Sequence, residues 1–364
     1  MIFHNLSPLD HRYYLANRTL FDQLTLYLSE EASIQYCIKV EIALLKSHVR
    51  LSLQGRQDLL EALDLVEETI SPEEVYAEEE KTQHNIRALV NVLKSKVPPE
   101  TAPYVHLGTT SVDILDTAQS MRMRDAVRKA IIPVLLNVEA KLVEICRDNA
   151  QVAQVGRTHG QHAVPITFGF AMAEYASRLG KSIMRINELA GDLRGKIAGA
   201  VGSYNSTALL TPDPEAFEAE ILASLDLKAS ETSTQMVEPE YLLRLLLEIN
   251  VAFGILANLA DDLRHLQRSE INEVRELFTT SQVGSSTMPQ KRNPWNSEHV
   301  KSLWKAFAPR VMTFFMDQIS EHQRDLSNSA SMRFIADYLT GFAAAAARME
   351  KVLSSLHVNQ ENMS

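Results

Sequence analysis

The segment from Tyr241 to Ala260 is apolar on nearly every face of the helix that its composition predicts. A helix without a polar face must be buried on all sides, as in the middle of a helical bundle. The chain has only 13 glycines and 13 prolines among 364 residues, below the usual ~7% and ~5%. So few helix-breaking residues predict long uninterrupted helices. We therefore predict an all-α fold, built as a bundle of long helices.

Apolar periodicity predicts several helices that are much longer than the usual ~11–12 residues. Their approximate ranges are 112–149, 165–198, 239–278, 295–320 and 329–356. Residues 16–95 predict shorter helices, with breaks near Gly55 and Ser71. Five long helices rarely cover a helix as apolar as 241–260 completely. The pattern therefore predicts that bundles from several subunits pack together.

The clearest domain boundary lies in residues 97–111, which contain Pro98, Pro99, Pro103 and Gly108. Prolines and glycines in such density interrupt helices. We predict an N-terminal helical domain over residues 1–110 and a central long-helix domain over residues 111–364.

Charge and cysteine content exclude several classes of protein. The chain has 36 Lys and Arg against 46 Asp and Glu, whereas a general nucleic-acid binder normally carries a basic surface. An anionic substrate therefore needs local cations.

Cys37 and Cys146 lack the spacing of a zinc site and suit buried thiols in a reducing compartment. The N-terminus has no signal-peptide pattern, and the apolar run Val251 to Ala260 is too short to span a bilayer, so the cytoplasm is the predicted compartment.

Residues 284–294 read GSSTMPQKRNP and lie between two predicted helices. Free backbone N–H groups beside Lys291 form a natural site for an anion, although a solvated Ser/Thr loop has a similar composition. The run resembles the signature loop of the fumarase/aspartase superfamily of lyases at every specified position. The resemblance implies that Ser285 is the catalytic base. Ser286, Lys291 and Asn293 are implied to bind the substrate and its developing negative charge.

Residues 156–162 read GRTHGQH and place two histidines between long helices. Histidine is the usual proton donor near neutral pH, but a single loop histidine is more often structural. Lyases of this superfamily carry a similar run, and the resemblance implies that His159 is the general acid. His162 has no implied catalytic role, and we interpret it as supporting structure.

Thr110 and Ser111 open a predicted long helix, with Asp113 in its first turn. They are typical of an N-cap, and a helix N-terminus with hydroxyls also binds carboxylates. The resemblance implies that the pair holds the fumaryl part of the substrate, and both interpretations can hold. Three further substrate-binding positions are implied, and they are His84 within a helix, Asn85 and His106. Gln83 and Asn85 depart from the charged residues that related lyases carry.

Glu298 follows the signature loop at the spacing where related lyases carry a glutamate that pairs with a histidine. An exposed helix glutamate is an equally common interpretation. We place Glu298 among the residues that support substrate binding.

Arginines near both ends of the chain distinguish branches of the superfamily. Arg12 and Tyr13 near the N-terminus resemble a phosphate-binding pair in the branch whose substrates are succinylated purine nucleotides. Near the C-terminal end, Arg324, Ser329 and Arg333 resemble that branch's phosphate and ribose contacts, and Gln235 resembles its substrate-binding glutamine. The arginine fork suits phosphate. Argininosuccinate lyase, fumarase and aspartase bind no phosphate.

The resemblance implies that the chain eliminates fumarate from a succinylated purine nucleotide, without a metal or organic cofactor. It also implies a homotetramer in which three subunits contribute to each site, with no nucleic-acid or membrane partner. Related chains usually continue into a third, small helical domain, which we expect to be absent here because the sequence ends at Ser364. The alternatives are another fumarate-releasing lyase, chiefly argininosuccinate lyase, and a non-catalytic helical relative such as a lens crystallin.

Overall fold

A computed structural model describes residues 4–277, 288 and 291–363 of the chain. Ser285 and Ser286 lie outside the described residues. The α-helices are α1 Arg12–Ala16, α2 Arg18–Leu28, α3 Glu30–Ser52, α4 Gln57–Val66, α5 Pro72–Thr82, α6 Asn85–Lys96, α7 Ser111–Ala126, α8 Ile132–Asp148, α9 Phe168–Gly191, α10 Pro214–Ser224, α11 Glu240–Leu266, α12 Trp295–Phe307, α13 Val311–Met316, α14 Ile335–Ser354 and α15 Gln360–Met363. The predicted all-α class is confirmed.

The described residues also contain short strands that pair two by two. They are β1 Ala153–Thr158, β2 Gln161–Thr167, β3 Arg194–Gly195, β4 Lys228–Ala229, β5 Val274–Glu276 and β6 Leu356–Val358. β1–β2 and β5–β6 are antiparallel, whereas β3–β4 is parallel. These pairs lie where the long helices end, so the strands fix the connections of the bundle and leave its core helical.

Helices α7 and α8 form one continuous rod from Ser111 to Asp148, as predicted for residues 112–149. A π-helical turn, Val127–Ile131, joins the two helices immediately before Pro133. A proline inside a helix removes one backbone hydrogen bond and clashes with the preceding turn, and a π-turn is one way to accommodate it. At 1.5 Å per residue the rod is about 57 Å long.

Helix α11 is the centre of the bundle and packs against α9, α12 and α14. Leu246, Ile249, Phe253 and Leu256 are buried, and the Phe253 ring makes an edge contact with Phe342 on α14 at 5.2 Å. The predicted central position of residues 241–260 is therefore confirmed. Burial within one chain is incomplete, because Val251 on the same helix is 53% exposed.

The apolar segment is longer than the sequence indicated. Among the described residues, α11 alone is long and apolar enough to cross a membrane, but 56% of its most apolar window is buried inside the protein. The run Val251 to Ala260, which the sequence analysis considered, is only part of this apolar helix. Its burial against three other helices is that of a core helix.

Three long helices are shorter than their sequence patterns predicted. In the range 165–198 the helix begins only at Phe168, because Gln161–Thr167 is a strand. In the range 239–278 the helix ends at Leu266, before strand β5. The range 295–320 breaks into α12 and α13 at a 3₁₀ turn, Ala308–Arg310, that contains Pro309. Strand pairing and proline override helical periodicity at these positions.

A second core lies between the N-terminal helices and the first half of the rod. Helices α3 and α7 pack against each other, and α5 packs against α6. Leu44, Leu93 and Ile114 are buried in this core. It holds the start of the rod, where several predicted site residues lie.

Candidate active site

The predicted site residues fall into two groups at opposite ends of the rod. The first group surrounds a cavity of about 520 Å³ at the start of the rod. Its lining includes Asn85, Arg324, Ser329 and Arg333. We call it the arginine pocket. Asn85, from the N-terminal part of the chain, therefore lines the same cavity as the C-terminal set Arg324, Ser329 and Arg333.

Arg324 connects the arginine pocket to Gln235, which is also a predicted site residue. The Arg324 Nη1 atom donates to the Gln235 Oε1 atom at 3.1 Å. Among the described residues, no group accepts a hydrogen bond from the buried Arg324 Nε atom. A buried guanidinium N–H without an acceptor costs free energy, so this edge of Arg324 is suited to an anionic ligand.

Asp116 also lines the arginine pocket, and the sequence analysis did not single it out. Its Oδ2 atom accepts a hydrogen bond from the Val237 backbone N–H at 2.9 Å. Burial raises the pKa of Asp116 to about 6, although the nearby Lys196 and Arg324 charges oppose the shift. From the sequence alone, an aspartate in a helix is expected on a solvated surface. Only the residues that pack around Asp116 in the fold show that it lines the pocket.

Thr110 and Ser111 lie at the N-terminus of the rod, about 8–9 Å from Asp116 at 1.5 Å per residue. The Thr110 N–H donates to the Asp113 Oδ2 atom at 2.7 Å, and the Asp113 N–H donates to the Thr110 carbonyl at 3.0 Å. The N-cap that the sequence indicated is therefore present at Thr110, with Asp113 in the first turn. It leaves the Ser111 and Val112 N–H groups at a helix start, where an anion binds favourably.

His106 precedes this helix start and adopts a left-handed backbone with φ of 62°. Its Nδ1 atom lies 2.6 Å from the Oε1 atom of Glu41, whose side chain is 1% exposed. The buried carboxylate orients the ring. Glu41 was not predicted, because a glutamate inside an apolar helix gives no sign of its partner.

His84 is at a helix boundary, whereas the sequence predicted it within a helix. Gln83 ends α5 in a left-handed conformation, and His84 is the N-cap of α6. Its Nδ1 atom accepts from the Arg87 N–H at 3.2 Å, so His84 uses one ring nitrogen to start α6. His84 is exposed, and its neighbour Asn85 lines the arginine pocket.

The second group lies at the far end of the rod, around the β1–β2 hairpin. His159 and Gly160 form its two-residue turn, with φ of 55° and 73°. Positive φ at both positions matches a tight hairpin turn. The exposed His159 side chain is therefore at the hairpin tip, rather than in the irregular loop that the sequence indicated.

A buried carboxylate anchors the hairpin to the residues that follow α11. Glu273 is 1% exposed, and it accepts from Arg157 Nη2 at 2.5 Å and from Gln154 Nε2 at 2.7 Å. Both donors are in β1. The hairpin that carries His159 is therefore held rigidly against the end of the central helix.

Residues 288 and 291–294 are the described part of the signature segment, and they lie near the hairpin end of the rod. The Arg292 carbonyl accepts from the Gln267 side chain at 3.2 Å, just after α11. Lys291 is exposed, Asn293 is half-buried, and Glu298 is exposed in the first turn of α12. The predicted pairing of Glu298 with a histidine stays a prediction.

Arg12 and Tyr13 also lie beside α12. The Tyr13 hydroxyl is 3.0 Å from the Nε2 atom of His299, and Arg12 is exposed. Burial lowers the pKa of His299, and the Arg348 and Arg12 charges lower it further. His299 was not predicted, although it directly follows Glu298 in the sequence.

The two groups are too far apart to act on one small substrate within a single chain. Asp116 and Asp148 are separated by 32 residues of continuous rod, or about 48 Å. Gln235, which contacts Arg324, precedes α11, whereas Glu273, which anchors the hairpin, follows it, and the 27 residues of α11 span about 40 Å. His159 therefore cannot contact a ligand in the arginine pocket of its own chain.

The described residues offer no metal centre. In residues 4–277, 288 and 291–363, no cluster of three or more His, Cys, Asp or Glu side chains could hold a metal ion. The two regions contain arginines, a lysine, hydroxyls, amides and histidines, beside the carboxylates of Asp116 and Glu298. This set suits an anionic substrate and proton transfer.

Comparison with known proteins defines the class. A family model described as "Lyase" matches residues 11–308. The chain therefore belongs to this lyase family of the fumarase/aspartase superfamily, as its signature residues indicated.

Individual relatives narrow the comparison. The adenylosuccinate lyase of Pyrococcus abyssi is 32% identical, and the match covers 98% of this chain and 78% of the relative. An N-acetyl-S-(2-succino)cysteine lyase of Enterococcus italicus is 30% identical over 90% of this chain and 75% of the relative. The solved 3-carboxy-cis,cis-muconate lactonizing enzyme of Pseudomonas putida has a TM-score of 0.82 at 24% identity, covering 99% of this chain and 79% of that chain. This last likeness concerns the fold alone.

Proposed function

We propose that this chain is an adenylosuccinate lyase that cleaves adenylosuccinate to AMP and fumarate. We extend the proposal to the succinyl-aminoimidazole carboxamide ribotide of purine synthesis, which would yield fumarate in the same way. The observation that carries the proposal is the arginine pocket, where Arg324, Arg333 and Ser329 lie together. Two arginines and a hydroxyl suit a phosphate, which argininosuccinate and the cysteine conjugate lack.

The proposed reaction is a β-elimination. A base removes a proton from the succinyl carbon beside a carboxylate, and the electron pair moves into that carboxylate. The C–N bond then breaks, and an acid protonates the leaving nitrogen. We assign the base to Ser285 and the acid to His159. Lys291 and Asn293 would stabilise the developing negative charge, as preorganised donors do in other enzymes.

We further propose that each active site combines residues from different subunits of a homotetramer. In one chain, about 48 Å of rod separates Asp116 from Asp148, which precedes the His159 hairpin. Antiparallel packing of the rods in a closed symmetric assembly would bring the two ends together. Exposed apolar side chains also support assembly, since Val164 and Phe170 beside the hairpin are 72% and 70% exposed. We propose that the tetramer acts in the cytoplasm.

The direct test is an absorbance assay of the purified chain with adenylosuccinate, argininosuccinate and N-acetyl-S-(2-succino)cysteine as separate substrates. We expect fumarate release from adenylosuccinate at a kcat/KM at least ~10²-fold above the other two, because a site built for a buried polar contact rejects ligands that lack it. Faster cleavage of either competitor would contradict the proposal. Release from none of them would favour a non-catalytic relative.

Removing one pocket arginine should weaken binding of the nucleotide phosphate. We expect Arg333→Met and Arg324→Met each to raise KM for adenylosuccinate by roughly 10- to 100-fold, since a charge-assisted hydrogen bond contributes about 1.5–3 kcal/mol. Arg333→Met is the cleaner variant, because Arg324 also holds Gln235. Steady-state kinetics provide the measurement.

Succinyladenosine, which lacks the phosphate, is the matched control substrate for these variants. The parent should bind it poorly, and Arg333→Met should not change its KM by more than about twofold. Equal effects on both substrates would mean that these arginines do not bind the phosphate.

A further inference from the structure

Lys196 and Asp113 form an ion pair beneath the start of the rod, and both side chains are 0% exposed. The Lys196 Nζ atom also donates to the Gly199 carbonyl at 3.0 Å. The Asp113 Oδ1 atom, which faces Lys196, also accepts from the Gly199 N–H at 3.2 Å. A buried pair of this kind adds little stability compared with apolar side chains of the same volume. The location of this ion pair beside the candidate site therefore suggests a role other than stabilising the fold.

Asp113 connects this pair to the helix start where Thr110 and Ser111 lie. Its second oxygen, Oδ2, accepts from the Thr110 N–H at 2.7 Å. One carboxylate therefore contacts both the buried lysine and the first residues of the rod. The Asp113 charge therefore lies between the buried lysine and the Thr110–Ser111 helix start.

The charge of Asp113 has a second consequence. On the proposed function, a substrate carboxylate binds at this helix start, within a few ångströms of the Asp113 carboxylate. Two negative charges so close repel each other, and the repulsion is strong where water is excluded. The Lys196 ammonium cancels the Asp113 charge, so the helix start keeps the positive potential that attracts an anion.

Lys196 is held in place without the help of Asp113. The Thr117 hydroxyl lies 3.0 Å from both the Lys196 N–H and its carbonyl. The next residue, Ile197, donates its N–H to Glu218 at 2.5 Å, and Glu218 also accepts from the Tyr204 hydroxyl at 2.5 Å. Neutralising Asp113 would therefore leave the Lys196 backbone in position, with the Gly199 carbonyl as the acceptor that still holds the ammonium group.

We propose that Lys196 is a charge-neutralising residue for the carboxylate site at the start of the rod. It removes the repulsion between Asp113 and a dianionic substrate. The role rests on the proposed function, because it requires a carboxylate to bind there. Lys196 does not itself contact the substrate.

Two substitutions that break the same ion pair should have opposite effects on anion binding. The reverse reaction, in which the parent joins AMP to fumarate, gives a KM for each substrate. Lys196→Met leaves the Asp113 charge uncompensated, so we expect KM for fumarate to rise about tenfold. Asp113→Asn keeps an oxygen for Thr110 and leaves the lysine charge, so we expect KM for fumarate to be unchanged or lower. KM for AMP should stay within about twofold in both variants.

Lys129→Met is the matched control, because it removes a lysine from an ion pair with Asp125 at 3.0 Å on the same rod. It should change neither KM. If both Lys196→Met and Asp113→Asn raise KM for fumarate by similar factors, the pair is structural and the proposal is overturned. If Lys196→Met does not fold, Lys196→Gln replaces it, and a raised KM in Asp113→Asn alone overturns the proposal. An inactive parent contradicts the proposed function and this role together, whereas an active parent with parallel shifts contradicts this role alone.

Discussion

His159→Gln is expected to lower turnover of adenylosuccinate at least ~100-fold with the helical fold intact, because loss of one acid–base group typically costs 10²–10⁴-fold. The His159 side chain is exposed at a hairpin tip that Glu273 anchors. It is therefore not packed within its own chain, as the proposed shared site requires. Glutamine keeps a polar side chain of similar reach but cannot donate a proton to the leaving nitrogen. The measurement is kcat with circular dichroism on the same sample.

His162→Gln is the matched control, because His162 is an exposed histidine on the opposite strand of the same hairpin. Its turnover should stay within about twofold of the parent. Ser285→Ala should match the loss in His159→Gln, since base and acid act in the same elimination. A His159→Gln variant with normal helicity and near-normal turnover would remove His159 from the mechanism.

The helical rod could be predicted from the sequence because its signal is local. Apolar periodicity and scarce breakers predict residues 112–149 as one helix, and the structure has one from Ser111 to Asp148. The N-cap at Thr110 could be predicted equally well, since its partner Asp113 is three residues away. Interactions within one helical turn leave a pattern in the sequence.

The β1–β2 hairpin could not be predicted in the same way. Its turn residues, His159 and Gly160, are not the Asn-Gly or Asp-Gly pair that signals such a turn. Pro165 inside β2 argues against a strand. The hairpin forms because Glu273, more than a hundred residues away, pairs with both Arg157 and Gln154.

Buried charged residues were missed for a related reason. Lys196, Asp116 and Glu41 look like members of solvated surfaces, because their sequence neighbours give no sign of burial. Each has a partner or a cavity that comes from a distant segment. The resemblance to known lyases identified Arg324 and Arg333 without structure, whereas their common cavity became visible only in the fold.

The central claim is that His159 and the arginine pocket of one active site belong to different subunits, and mixing two inactive variants tests it. We expect His159→Gln and the double variant Arg324→Met/Arg333→Met each to have little activity alone. After reversible dissociation and equal mixing, about a quarter of the sites should contain both a native His159 and a native arginine pocket, as random assembly of a closed oligomer requires.

The sharpest form of the measurement compares this mixture with a second one, in which all three substitutions are on one chain and the other chain is the parent. Shared sites predict activity of about a quarter of the parent in both mixtures, with a tetramer by light scattering. Sites confined to one chain predict no activity in the first mixture and about half in the second. The latter result, with subunit exchange demonstrated by mass spectrometry, would contradict the account.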